Sequence, residues 1–406
     1  MMTFSTTSET SLSCWLHVQD ASPSAAKSDN VALFMSYVFF SDVQYSDFYC
    51  ILSLLQIPLY HMLLFNPEHD LVLANGDRHF VPPESSLKFG ADCAAVMSIL
   101  YPDACEDGVY VWGWDINVRQ KALRCGAHAD VLPSLEYIES VRNFSNRKYS
   151  VLAYTYILER IEREFLPCIV TELPALLYSQ NQIQDYCSAY EHCVLKAPWS
   201  GSGKGLRWIS NSHFSQSDIG WCRNTLGRQG SVVGQKREKV VQDFAMLFSM
   251  KGGKTKFEGY SLFDCSNGVY KSNLLASNDF IENNICLYIP RSLIESLRGH
   301  LICFFDETFG SNYEGTLGVD MLIALSEGTK GGWRLMPCVE INVRNTMGLV
   351  ARRYFDSHEG AINDGELRLE MIYSRDNAGL REKIKGAQTL LTPLNDETLY
   401  AICCTY

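Results

Sequence analysis

Two clusters of residues have the types and spacings that chemistry requires. The first is Lys196-Ala-Pro-Trp-Ser-Gly-Ser-Gly-Lys-Gly205, which directly follows a β-rich run, Cys193-Val-Leu-Lys196. Glycines alternating with small or cationic residues let backbone N–H groups approach phosphate oxygens closely, and the lysines add positive charge. The second is Glu340-Ile-Asn-Val-Arg344, at the end of an apolar run that begins at Trp333. On a strand this alternation points Glu340, Asn342 and Arg344 to one face. A carboxylate and an amide oxygen suit magnesium, which takes one or two carboxylates together with phosphate oxygens. A guanidinium suits the phosphoryl oxygens themselves. The preceding run Gly318-Val-Asp-Met-Leu offers Asp320 as a second carboxylate.

Each cluster alone has a bland reading: a flexible surface hairpin for the first, an edge strand with a solvated polar face for the second. The glycine-rich stretch is also unlike the common phosphate loops. A Walker A loop needs glycine where Pro198 stands and serine or threonine where Gly205 stands. No H-R-D catalytic loop or D-F-G follows, as a protein kinase would require. A Rossmann fingerprint follows the first strand of its unit, whereas this loop lies far along the chain. No Ser/His/Asp triad or nucleophilic cysteine is evident.

Taken together and in order, the two clusters are far more specific. Val194-Leu-Lys-Ala-Pro-Trp-Ser-Gly-Ser-Gly-Lys-Gly205, Val240-Val-Gln-Asp-Phe244, Gly318-Val-Asp320 and Glu340-Ile-Asn-Val-Arg344 resemble the motifs of the ATP-grasp superfamily over roughly Leu166 to Tyr373. The resemblance implies ATP and Mg2+ (or Mn2+ in its place) as cofactors. It places Lys196 on the α/β-phosphates. Ser200, Gly201, Ser202, Gly203, Lys204 and Gly205 would form a lid over the β/γ-phosphates, and Val241 to Phe244, with Gln242 and Asp243, would line the adenine pocket through their backbone. Asp320, Glu340 and Asn342 become the metal ligands, and Arg344 faces the γ-phosphate or an acyl phosphate. Arg344 and Lys204 would then be catalytic, neutralising charge in phosphoryl transfer, and Lys271 is an additional phosphate lysine. The implied reaction phosphorylates a substrate carboxylate, and an amine or thiol captures the acyl phosphate, most simply forming a carbon–nitrogen bond. A small-molecule kinase and a non-catalytic nucleotide-binding protein are the alternatives. The chain departs from the family at Gln242, where glutamate is frequent. Met246 and Leu247, where an acid would bind ribose, leave ribose recognition unassigned. The glycine-rich Gly328–Gly332 insertion separates Asp320 from Glu340.

Substrate residues are less legible. Glu68, His69, Asp70, Asp77, Arg78 and His79 form a dense polar group after the first apolar run, Met62–Phe65. They would hold a substrate amine or carboxylate, or serve as a solvated loop with caps. Trp112, Trp114 and Asp115 follow another strand and would line the same cleft or pack as an aromatic pair. Tyr313 and Glu314, amid Gly310, Gly315 and Gly318, precede the Asp320 strand and would lie near the acceptor.

These residues need elements to position them. From Met62 strands alternate with helices, which argues a mainly parallel α/β domain. Strands are expected at Val109–Trp114, Val240–Gln242, Phe244–Ser249, Gly318–Leu325 and Trp333–Val343. A hairpin is expected from Gly259–Phe263 and Gly268–Lys271. Helices are expected at Ala91–Leu100, Val118–Cys125, Leu135–Phe144, Tyr149–Phe165 and Ile183–Glu191. The expected organisation is an N-terminal extension over 1–61, a small α/β domain over 62–165, an ATP-grasp-like α+β domain over 166–375, and a C-terminal segment over 376–406. Residues 1–61 carry one basic residue, Lys27, against Glu9, Asp20, Asp29, Asp42 and Asp47. They are expected to lie outside the functional protein, which would begin near Met62; peptides from 1–61 recovered from the native protein would sink this.

Composition bounds the rest. At 406 residues the chain exceeds one ordinary core. With 47% hydrophobic and 20% charged residues it is globular rather than disordered. The net charge of −11 disfavours nucleic acid as a partner. The expected partners are small-molecule carboxylate and amine or thiol substrates, with a homo-oligomer compatible with this. The 15 cysteines show no zinc spacing and fit a reducing cytoplasm better than a disulfide framework. No run reaches the ~18 apolar residues of a membrane span.

Overall fold

In the computed structural model the described residues are 62–64, 96, 99–103, 109–124, 127–200, 205–210, 214–266, 268–326, 332–392, 394, 396 and 399–406. The expectations for residues 1–61, for the polar group at 68–79, for Gly201, Ser202, Gly203 and Lys204, and for the turn at 328–331 lie outside them. The chain divides into Met1–Pro58 with Arg124–Gly126, and Leu59–Leu123 with Ala127–Tyr406. The architecture below is that of the second unit.

The parallel signal is confined to one pair, β1 (Met62–Leu64) with β2 (Val109–Val111). Among the described residues every other pair of named strands is antiparallel. A four-stranded sheet contains β3 (Ala175–Leu177), β4 (His192–Lys196), β5 (Leu206–Ser210) and β6 (Val232–Lys236), in the order β3-β6-β4-β5. An eight-stranded sheet contains β7 (Val240–Lys251), β8 (Lys254–Ser266), β9 (Val269–Leu275), β10 (Gly315–Leu325), β11 (Trp333–Asn342), β12 (Leu367–Tyr373), β13 (Thr389–Leu390) and β14 (Tyr400–Thr405). Its order is β11-β10-β7-β8-β9-β12-β14-β13. Arg237, Glu238 and Lys239 alone separate β6 from β7, so a short crossover joins the two sheets. The class is α+β.

Strand β7 shows how the large sheet is built. Phe244, Met246, Phe248 and Met250 alternate onto one face and join a core with Phe305, Leu301 and Ile157 from the helices Arg291–Thr308 and Lys148–Arg160. Ala245 and Leu247 alternate onto the other face, where the helix Met347–Ser357 packs. Both faces are therefore covered, and period 2 assigns each residue to its layer. Helix starts follow local chemistry. Ser134, Ser179, Ser215, Ser277, Thr346 and Asp376 each accept a hydrogen bond from a backbone N–H of the first turn. Ser215 and Asp218 complete a reciprocal capping box.

Several element boundaries differ from the sequence expectation, and three have a plain local reason or bear on the site. The stretches Val240–Gln242 and Phe244–Ser249 are one strand, because Asp243 keeps its ladder pairs with Phe263 and Leu322. The helix expected over Tyr149–Phe165 ends at Arg160; Ile161 turns extended, and a 3-10 turn carrying Pro167 follows. β11 stops at Asn342 rather than Val343, so Arg344 lies beyond the strand. Among the described residues no helix is long and apolar enough to cross a membrane.

Candidate active site

The site grows from one row of cross-strand neighbours. In the antiparallel register Asp320 of β10 stands opposite Glu340 of β11 on one side and Ala245 of β7 on the other. Directly paired residues share a face, so the two carboxylates point together over a small alanine. One row on, Gly318 faces Asn342, and the Asn342 amide donates to Asp320 Oδ2 at 3.0 Å. Asp320, Glu340, Asn342, Arg147 and Arg344 line one cavity of about 220 Å³, floored by Ala245, Ser261 and Asn273.

Two acids this close and partly buried do not ionise alike. Burial, then the Glu340 charge beside it, pushes the Asp320 carboxyl up to about 7. Burial would raise Glu340 as well, but Arg147, Lys196 and Arg344 outweigh it and hold that carboxyl below its usual range. A divalent cation would favour the ionised form of Asp320 against both effects. Among the described residues no group of three or more His, Cys, Asp or Glu is arranged to hold a metal by itself. Two carboxylates and an amide fit magnesium, which completes its shell with water and phosphate.

Three cations surround this acidic pair. Lys196, at the end of β4, is buried and donates Nζ to the Val339 carbonyl at 3.1 Å. Burial, with Arg147 adding to it, pushes its ammonium down to about 8. Arg344 lies just past β11, and its buried Nε has no hydrogen-bond partner. Arg147 is the third, and nothing in its sequence surroundings marks it. It occupies the turn between the helices Leu135–Phe144 and Lys148–Arg160. Its guanidinium donates to Ala197 O at 2.6 Å, Ser200 Oγ at 2.7 Å, Ser200 O at 3.2 Å and Glu340 Oε1 at 2.8 Å. One side chain thus ties the glycine-rich loop to the large sheet.

Both ends of that loop are pinned. The Ala197 amide donates to the Gly205 carbonyl at 2.9 Å, and the Arg147 amide donates to the Pro198 carbonyl at 3.0 Å. Trp199 exchanges two hydrogen bonds with Gln229, and its indole N–H donates to Arg142 O. Gly205 must be glycine here: a Cβ would stand 2.0 Å from Ser200 Oγ and 2.2 Å from Ser200 Cβ.

The other expected site residues divide. Asp243 shares the sheet face of Ala245 and Asp320. Burial, then the nearby Asp264 charge, pushes its carboxyl up to about 6. Gln242 and Phe244 point to the opposite face, and Phe244 is fully buried in the core. Within the Val241–Phe244 stretch expected to line an adenine pocket, Gln242 to Phe244 are ladder-paired with β10, with β8 on the other side from Asp243 onward. Lys271 is the extra residue of a bulge, since Asp264 pairs with Ser272 and Cys265 with Tyr270; it is exposed and does not line the cavity.

Asp115 is a helix cap rather than a cleft residue: its Oδ1 accepts from the amides of Asn117 and Val118 at 2.7 and 2.8 Å. Trp112 and Trp114 line a second cavity of about 240 Å³, next to Tyr313, Glu314 and Gly315. Trp112, Arg344 and Asn345 border both cavities.

No family model matches this sequence, and no curated protein matches it. Solved structures do. N5-carboxyaminoimidazole synthetase from Staphylococcus aureus, complexed with ADP, is 10% identical with a TM-score of 0.44, covering 90% of this chain and 91% of its own. An ADP complex of N5-carboxyaminoimidazole ribonucleotide synthetase is 14% identical with a TM-score of 0.41, covering 76% and 78%. D-alanyl-alanine synthetase A from Vibrio cholerae is 13% identical with a TM-score of 0.38, covering 60% and 67%.

Proposed function

We propose that this chain is an ATP-grasp enzyme that uses Mg-ATP to phosphorylate a substrate carboxylate, and that an amine or thiol captures the resulting acyl phosphate. A carbon–nitrogen ligase is the simplest form of this reaction. One observation carries the reading: Asp320, Glu340 and Asn342 meet Arg147 and Arg344 in a single cavity. Lys196 is close enough for its charge to act on Glu340.

Phosphoryl transfer asks a protein mainly for positioning and charge neutralisation. Asp320, Glu340 and Asn342 would hold magnesium, which would supply positive charge to offset that of the phosphates. Lys196 and Arg344 would face the polyphosphate. Arg147 would hold Glu340 ionised and fix the loop base through Ser200. Ser200 to Gly205, including Gly201, Ser202, Gly203 and Lys204, would close over the phosphates and exclude water from the acyl phosphate. A cytoplasmic location goes with this proposal.

The test is thermal stabilisation by Mg-ATP, with and without Mg2+, on the wild type and on Glu340→Gln. A ligand at a hundredfold excess over its Kd stabilises by about 2.7 kcal/mol. The wild type is expected to show a Mg2+-dependent rise in Tm and Glu340→Gln a much smaller one. A wild type indifferent to Mg-ATP sinks the proposal. Trapping with hydroxylamine separates a carboxylate-activating enzyme, which yields a hydroxamate, from a kinase that yields a stable phosphorylated product.

A further inference from the structure

The second cavity borders the phosphate cavity through Arg344, and aromatic rings are prominent in its walls. Tyr110, Trp112, Trp114, Tyr137 and Tyr313 contribute rings, with Val141 among them. Two of the tyrosine hydroxyls are already committed to backbone carbonyls. Tyr137 donates to Glu314 O, and Tyr313 to Thr316 O at 2.6 Å. These two residues therefore offer the cavity ring surface rather than phenols. Tyr137 and Tyr313 lie nearly parallel, 6° apart with centroids at 6.5 Å.

Only two charged residues line this cavity among the described residues, Arg344 and Glu314. The Glu314 carboxylate accepts from the Gly252 amide at 3.0 Å. Arg344 stands at the wall shared with Asp320, Glu340 and Asn342, and its buried Nε has no hydrogen-bond partner. An aromatic wall with one guanidinium at its inner border describes an anion with an apolar ring behind it. The volume of about 240 Å³ admits a ring and a short spacer, since a cavity of about 150 Å³ already binds benzene.

We infer that this cavity is the carboxylate-substrate subsite, and that its occupant is a monocarboxylic acid bearing one aromatic ring. The inference rests on the Mg-ATP reading above. The ring packs among Trp114, Tyr110 and Tyr137, and the carboxylate pairs with Arg344 at the edge of the phosphate cavity. A carboxylate oxygen then attacks the γ-phosphorus, the bond from the γ-phosphorus to the β–γ bridging oxygen breaks, and ADP leaves with that electron pair. A small polar acid would leave the rings unfilled. An α-ammonium would find no anion in the cavity except Glu314, already engaged by a backbone amide.

Full-length enzyme with Mg-ATP and hydroxylamine is assayed for ADP and hydroxamate on phenylacetate, 3-phenylpropionate, acetate, succinate and phenylalanine. Mg-ATP stabilisation is measured on the same preparation. Phenylacetate or 3-phenylpropionate is expected to release ADP at least about tenfold faster than acetate or succinate. Trp114→Ala is expected to raise the aryl-acid KM about tenfold or more while leaving the KM for ATP within twofold. Tyr137→Leu, a milder change, should move the same KM in the same direction. Mg-ATP stabilisation together with preferred turnover of succinate, acetate or phenylalanine, or with no aryl-acid turnover, overturns the subsite and leaves the ATP reading intact. Absence of Mg-ATP stabilisation overturns both.

Discussion

Replacing Arg147 by methionine should destabilise the protein more than any surface change. The guanidinium side chain is 6% exposed and donates four hydrogen bonds, to Ala197, Ser200 and Glu340. Removing one partner of a buried ion pair costs about 3–5 kcal/mol, because the other charge stays buried. Here the lower end applies, since the Glu340 side chain is 22% exposed toward the cavity and keeps Lys196 and Arg344 nearby. We therefore expect about 3 kcal/mol for Arg147→Met. Glu340→Gln retains an acceptor for Arg147 and should cost about 1–2 kcal/mol, the loss from a charge-assisted to a neutral hydrogen bond. The double variant should fall short of the sum by about 1–2 kcal/mol, within the range measured for directly contacting residues. Equilibrium unfolding in urea, followed by near-UV and far-UV circular dichroism, measures all four proteins and tests whether the transitions coincide. An Arg147→Met cost below about 0.5 kcal/mol, or additivity within about 0.5 kcal/mol, would refute the claim that this arginine holds Glu340 and the loop base together.

Three further outcomes follow from the same geometry. Asp243 has a folded pKa of about 6 against an ordinary 3.8, so the folded state binds the extra proton and stability falls as pH rises between about 4 and 6. Asp243→Asn should remove that fall and be more stable at pH 7 by on the order of 2 kcal/mol; parallel stability–pH curves for the two proteins would contradict it. Lys196→Met should weaken Mg-ATP binding about tenfold or more, whereas Lys271→Met, at an exposed bulge, should leave it within twofold in a fluorescent-nucleotide titration. Gly348 lies in the first turn of the helix Met347–Ser357, where alanine usually stabilises, but a Cβ there would stand 2.5 Å from Ser261 Oγ and 2.8 Å from Ser261 Cβ. Gly348→Ala should therefore lower stability by about 1–3 kcal/mol; a raised urea midpoint would show that the helix has room to move.

Much of the site could be read in the chain because strand period alone dictates it. Glu340 and Asn342 alternate, so any strand through them points both one way, and Asp320 needed only an antiparallel partner to join them. The same period limits another expectation: Gln242, Asp243 and Phe244 are consecutive, so they cannot all share one sheet face, and only Asp243 falls on that of Asp320. The placement of Lys271 is not legible in the chain, because a bulge shifts the alternation by one residue and nothing in Val269-Tyr-Lys-Ser272 announces where the extra residue falls.

Sequence by itself determined the local terms: caps at serine, threonine and aspartate, alternating strands, a glycine-rich loop, and Glu340 and Asn342 on β11 with Arg344 just past it. Tertiary structure alone decided three others. It brought Arg147 to Glu340 across 193 residues of chain. It set the two carboxylates to unequal pKa values by burying them beside three cations. And it gathered Tyr110, Trp114, Tyr137 and Tyr313 into one cavity beside Arg344. Contacts between distant segments, and the dielectric they create, are properties of packing, and no local pattern of residues encodes them.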